Sequence, residues 1–347
     1  GRIGSTTAAA PEPAGTEPSG GGRTPGPEAE DVRSGFFARI VEWFRSDSAQ
    51  AHPSPSASER EVTGAGVTLG DVHRAIADLI AEVELLRRVT GVSAAPREAA
   101  PRPGPMPVHI HVKTLEVLEK TARVQRRLGM IPVETQHPDV TGLSPQGLHR
   151  AVREAIGELH RIKRQLVVEE AVEAAPPSGA GTPSALYRDL AHASSLLDGL
   201  VGRPATLGDV RVRIAQAHVA LRPIAVRLGI APGAEPPPVT GTAGVPREVA
   251  QQVLRATYKA IGLQTALGME ASGVPAATLE GAGEAEALET ANFLLAEVLR
   301  IQEHLGIESA PEMGASSRDE PPVDAFAQAL RIVAHLDAMI RVARHAG

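Results

Sequence analysis

From Thr68 onward the chain repeats itself at an interval of about 38 residues, and fixed-period similarity of this kind marks a repeat architecture. The clearest copy is Thr-Leu-Gly-Asp-Val, at Thr68–Val72 and again at Thr206–Val210, each with a glycine at the same distance downstream, Gly91 and Gly229. The same ruler sets unit starts at Thr68, Met106, Ser144 and Thr182, then at Thr206, Val245, Gly283 and Pro321. Within the first set every step is identical, and in the second a single step is longer, by one position.

Each unit carries the signals of one helix. Thr68, Ser144, Thr182 and Thr206 offer side-chain oxygens that cap a helix N-terminus. Pro107, Pro145, Pro183, Pro246 and Pro322 stand one residue on, where a missing N–H costs little. Gly91, Gly129, Gly229, Gly268 and Gly306 stand at the far end, each followed by an apolar residue, as a left-handed C-terminal stop requires. Between them, offsets 4, 8, 11, 15, 18 and 22 from the unit start recur as the apolar set. Leu86, Val124, Ile162, Leu200, Ile224, Leu263, Ile301 and Met339 occupy offset 18, and all are apolar. Alternating steps of three and four describe one face of a helix, not a strand.

Leu197-Asp-Gly-Leu200 matches Leu336-Asp-Ala-Met339, with Tyr187 opposite Phe326, so the fourth unit of each set resembles its counterpart. The expected fold is all-α: eight helices in two tandem four-helix bundles, residues 68–205 and 206–347, related by duplication. A helix of about 23 residues is roughly 35 Å long. Linkers such as Val92–Pro105 and Met130–Leu143 share one length, about 14 residues, which when extended reaches roughly 46–50 Å. A linker can therefore travel the whole helix and start the next one parallel to it, which antiparallel neighbours would not need. Constant linker length points to ordered connections, although antiparallel packing with long surface loops also satisfies the pattern. Between the halves only Gly202-Arg-Pro-Ala205 remains.

Residues 1–30 and 48–67 are rich in Gly, Pro, Ala, Ser and Thr, with too little apolar surface to offset ordering entropy. They are expected as a disordered arm and a linker. Between them, residues 31–47 carry Phe36, Phe37, Trp43 and Phe44, four of the chain's eight aromatics. On a helix, Phe37, Ile40, Val41 and Phe44 share a face with Phe36 and Trp43 beside it. The expectation is an amphipathic docking helix that inserts Phe36, Phe37, Ile40, Val41, Trp43 and Phe44 into a protein partner's groove. Contact with a membrane surface through residues 34–46 is the second outlet, and packing back on the first bundle the structural alternative.

Function classes fall away by composition. The chain has no cysteine, which removes disulfides, thiolate metal sites and cysteine nucleophiles. A net charge of −6 argues against a general nucleic-acid binder. No apolar run approaches the roughly 18 residues of a membrane span. The chain opens on Gly1, and a removed leader would make it extracytoplasmic, periplasmic or secreted, of a bacterial type.

His109 and His111 would point about 200° apart on a helix and are expected as solvated or capping residues, not metal ligands. His149 and His160 share a face near Glu154 and Glu158 but lack the spacing of a di-iron bundle. Glu169, Glu170 and Glu173 are expected as a solvated helix end. The doublets Arg87-Arg88, Arg126-Arg127 and Lys163-Arg164 would complement helix C-termini, or form a basic ring for an acidic partner. No phosphate loop, nucleophile elbow or His-Glu-x-x-His is present, and no polar constellation stands inside the apolar stripes. The expectation is a non-enzymatic scaffold, without cofactor or metal, that tethers or spaces components of a larger assembly or of its own copies. A second class is a bundle that holds a small apolar ligand or cofactor, with Ala193, Ala217 and Ala256 leaving space between helices.

Overall fold

The computed structural model describes residues 66–97, 104–133, 143–172, 181–230, 244–270, 272, 282–307 and 324–346. Among these the fold is all-α: α1 Leu69–Val89, α2 Pro107–Arg127, α3 Pro145–Gln165, α4 Pro183–Val201, α5 Leu207–Arg227, α6 Pro246–Ala266, α7 Glu284–His304 and α8 Ala325–Ala346.

The helix ends form as their sequences dictate. Thr68 Oγ1 accepts from the Asp71 N–H at 3.2 Å while the Asp71 carboxylate accepts from the Thr68 N–H at 3.0 Å, a reciprocal capping box. Thr206 and Asp209 repeat it at the start of the second half. Six helices stop at a glycine with φ between 65° and 79°: Gly91, Gly129, Gly202, Gly229, Gly268 and Gly306. In α3 that place is taken by Val167, at φ 55°, a left-handed conformation in which a β-branched side chain is strained. The eighth helix begins at Ala325, later than the ruler's Pro321, because Asp324 takes the capping role and accepts from the Ala327 N–H at 2.7 Å.

The apolar stripe is the core. At offsets 4, 11 and 18 all twenty-four side chains are buried, from Val72, Leu79 and Leu86 in α1 to Ala325, Ile332 and Met339 in α8. Within the first half α1 touches α3 and α4, and α2 touches α3 and α4. In the second half α5 touches α7 and α8, and α6 touches α7 and α8. The two halves share one arrangement, in which the first and second helices stand diagonally across the bundle.

All four helices of each half run the same way. In the first half Asp78 pairs with Arg153 midway along α1 and α3, and Arg88 with Glu170 at their ends. His73 meets Asp189 near the starts of α1 and α4, and Arg87 donates to the Leu196 carbonyl near their ends. Lys120 reaches Asp198 and Arg127 reaches the Leu200 carbonyl, so α2 is parallel to α4 as well. In the second half Lys259 pairs with Asp337 and Gln302 donates to the Ala220 carbonyl, each joining equivalent heights.

A parallel order requires every linker to travel back along the bundle, and the described linker residues do so. The Ala94 carbonyl accepts from Arg87, the Arg97 N–H donates to Ser195 at 2.5 Å partway down α4, and Pro105 precedes α2 at its starting end. Between α6 and α7, the Glu270 carbonyl accepts from Arg300, and Ser272 lies beside Glu297, one turn lower. Of the two arrangements open to the sequence, the parallel one is therefore present.

The halves oppose each other. The short connection after α4 turns on Gly202, at φ 76°, and reverses the chain. Helix α2 then meets α7 head to tail: His109 pairs with Glu297, and Lys113 with Glu289. Against α5, Glu119 accepts from Arg213 at 2.8 Å and Arg123 pairs with Asp209 at 3.0 Å.

Candidate functional site

The docking residues expected from sequence, Phe36, Phe37, Ile40, Val41, Trp43 and Phe44, lie outside the described residues. Within the described residues the most elaborate polar arrangement is the seam between α2, α4 and α7, where the halves meet.

Helix α2 supplies Lys113, Glu116 and Lys120 on one face, one turn apart. Lys113 is 2% exposed, Glu116 5% and Lys120 4%, so all three are withdrawn from water. Glu116 is the hub. It pairs with Lys113 at 2.7 Å and Lys120 at 3.2 Å. It also accepts from Ser194 Oγ of α4 and Asn292 Nδ2 of α7, each at 2.5 Å. Lys113 continues to Glu289, which also accepts from Tyr187 Oη, and Lys120 continues to Asp198 at 2.7 Å. One carboxylate thus ties three helices from both halves. A cavity of about 90 Å³ opens beside these groups, walled by Tyr187, Asp198 and Glu289 among others.

The electrostatics lock these charges. Burial acts to lower the Lys113 pKa, but Glu116 and Glu289 outweigh it and hold the ammonium well above its ordinary range. Burial acts to raise Glu116, but Lys113 and Lys120 outweigh it and hold its carboxylate well below. Burial pushes Asp198 up, with Lys120 opposing. Opposed buried charges of this kind join the helices that carry them.

The seam is a polar constellation that the reading of the apolar stripes did not reach. It lies beside the stripe, on the flank of α2 that periodicity assigns to solvent. A signal was present: Val108, Val112, Leu115 and Leu118 stand off the stripe in α2, as do Leu288, Leu295, Leu299 and Phe293 in α7, and all are buried. These two helices need cover on more than one side, and each finds it on the other.

Other singled-out residues have plain roles. His109 is a capping histidine, its Nδ1 accepting from the Met106 N–H at 3.0 Å, but it is buried rather than solvated and its Nε2 lies 3.0 Å from Glu297. Its ring stacks on Phe293 at 4.5 Å. Glu297 is lowered although burial raises it, because the His109 bond and charge favour the carboxylate. His111 is also buried. His160 pairs with Glu82 at 3.0 Å on the neighbouring helix. Glu170 is exposed and pairs with Arg88; Glu173 lies outside the described residues. Ala193, Ala217 and Ala256 are fully buried. No group of three or more potential metal ligands occurs among the described residues, nor a helix long and apolar enough to cross a membrane. Compared with known proteins, the chain matches no family model, no curated protein and no solved structure.

Proposed function

We propose that this chain is a non-enzymatic scaffold whose two helical halves form a rigid body and whose residues 31–47 dock it to a protein partner. The observation that carries the reading is the seam: Lys113, Glu116 and Lys120 couple α2 to both α4 and α7, fixing one half against the other. A spacer needs such a joint, because two domains joined by a short turn alone would pivot. The aromatic cluster Phe36–Phe44, set between Pro- and Gly-rich stretches, supplies the tethered anchor.

The test is association with and without the anchor. The full-length chain and a chain lacking residues 31–46 are used as bait in the native source, with circular dichroism to verify equal helicity. Loss of a specific co-purifying partner on deletion is the expected result. Retention of the same partner at the same yield defeats the docking role.

A further inference from the structure

We infer that the C-terminal mouth of the first half is a binding site for a small amphiphile with a medium-length alkyl chain and an anionic head. This stands independently of the scaffold role.

The four parallel helices of that half end together around a cavity of about 250 Å³. Its walls are the last core layer, Leu86, Val124, Ile162 and Leu200, and above it Leu128 and Leu166. The space exists because α4 has 19 residues where its three neighbours have 21, its end being surrendered to the turn at Gly202. Thr90 adds to it, standing where α5 has Leu228. The equivalent end of the second half is packed: Leu228, Leu267 and Leu305 close over its core, and α8 runs on to Ala346. One mouth is thus filled and the other open.

Arg127 of α2 lines the cavity and donates to the Leu200 carbonyl at 3.1 Å, so one guanidinium stands beside the last core layer. An alkyl chain in the cavity would leave its head at this guanidinium, which favours carboxylate, sulfate or phosphate.

The experiment is calorimetric titration of the full-length protein with decanoate below its micellar range, and with decanol as the uncharged counterpart. Decanoate is expected to bind saturably at one site, and tighter than decanol. Thr90→Leu, which copies the packed half, is expected to weaken both at least about tenfold by filling the chamber. Leu166→Phe serves as a second filler should the first disturb folding, which a thermal melt monitors. Arg127→Gln is expected to weaken decanoate and leave decanol unchanged. Absence of saturable decanoate binding into the millimolar range overturns the proposal, as does affinity indifferent to both fillers. Equal affinity for decanol and decanoate overturns the anionic part.

Discussion

Replacing Glu116 by leucine removes the hub of the seam while leaving side-chain volume nearly unchanged. The carboxylate takes two ion pairs, at 2.7 and 3.2 Å, and two further hydrogen bonds from Ser194 and Asn292. Lys113 and Lys120 would remain buried, each with a single carboxylate, Glu289 or Asp198. Breaking a buried pair from one side costs about 3–5 kcal/mol, a large part of the roughly 5–15 kcal/mol that holds a typical fold. The assay is urea unfolding at neutral pH followed by circular dichroism. Glu116→Leu combined with Lys113→Met should cost at least about 1 kcal/mol less than the two single losses added, because the orphaned ammonium goes too. A cost for Glu116→Leu below about 1 kcal/mol, the value of an exposed pair, would refute the reasoning. Simple additivity in the double variant would refute it as well.

Burial pushes Glu303, in the last turn of α7, up to about 7, with Arg300 opposing. Its folded pKa lies above the ordinary 4.5. Its contribution is therefore fully present below that value and is lost as pH rises through about 7. Glu303→Gln should stabilise the protein above neutrality by up to about 3 kcal/mol, with no gain near pH 4; unfolding midpoints across that range check it. Excising residues 95–103 from the connection between α1 and α2 leaves a stretch that spans at most about 26–29 Å, against roughly 31 Å for α2. That chain should lose cooperative unfolding or dimerise by exchange, seen in denaturation and light scattering; unchanged stability as a monomer would count against parallel packing.

Much of this fold could be read in the chain because its signals are local. Helix caps, first-turn prolines and C-terminal glycines act within a few residues of each other, and the stripe needs only the period of a helix. The ruler failed at the eighth unit, where Asp324 caps a helix that no repeat of the Thr68 signature announces. Direction was legible only as an allowance: the linkers are long enough to span a helix, but only contacts such as Asp78 with Arg153 distinguish the parallel order. The seam was hidden for a different reason. Lys113, Glu116 and Lys120 at spacings of three and four are what an exposed helix face also shows. Their burial depends on α7, which belongs to the other half of the chain. The mouth of the first half was equally hidden, since it arises from the difference in length between α4 and α8 rather than from any one residue.

The reversal at Gly202 also has an electrostatic consequence. Four helices pointing one way add their peptide fields, leaving the equivalent of about two unit charges of opposite sign at the two ends of a half. Turned head to tail, each half lays its positive end beside the other's negative end, so that the sums largely cancel over a distance of one bundle width. A parallel bundle alone must meet that imbalance with counter-charges or a partner. This chain carries the opposing bundle covalently, so that the second half supplies the neutralising field for the first.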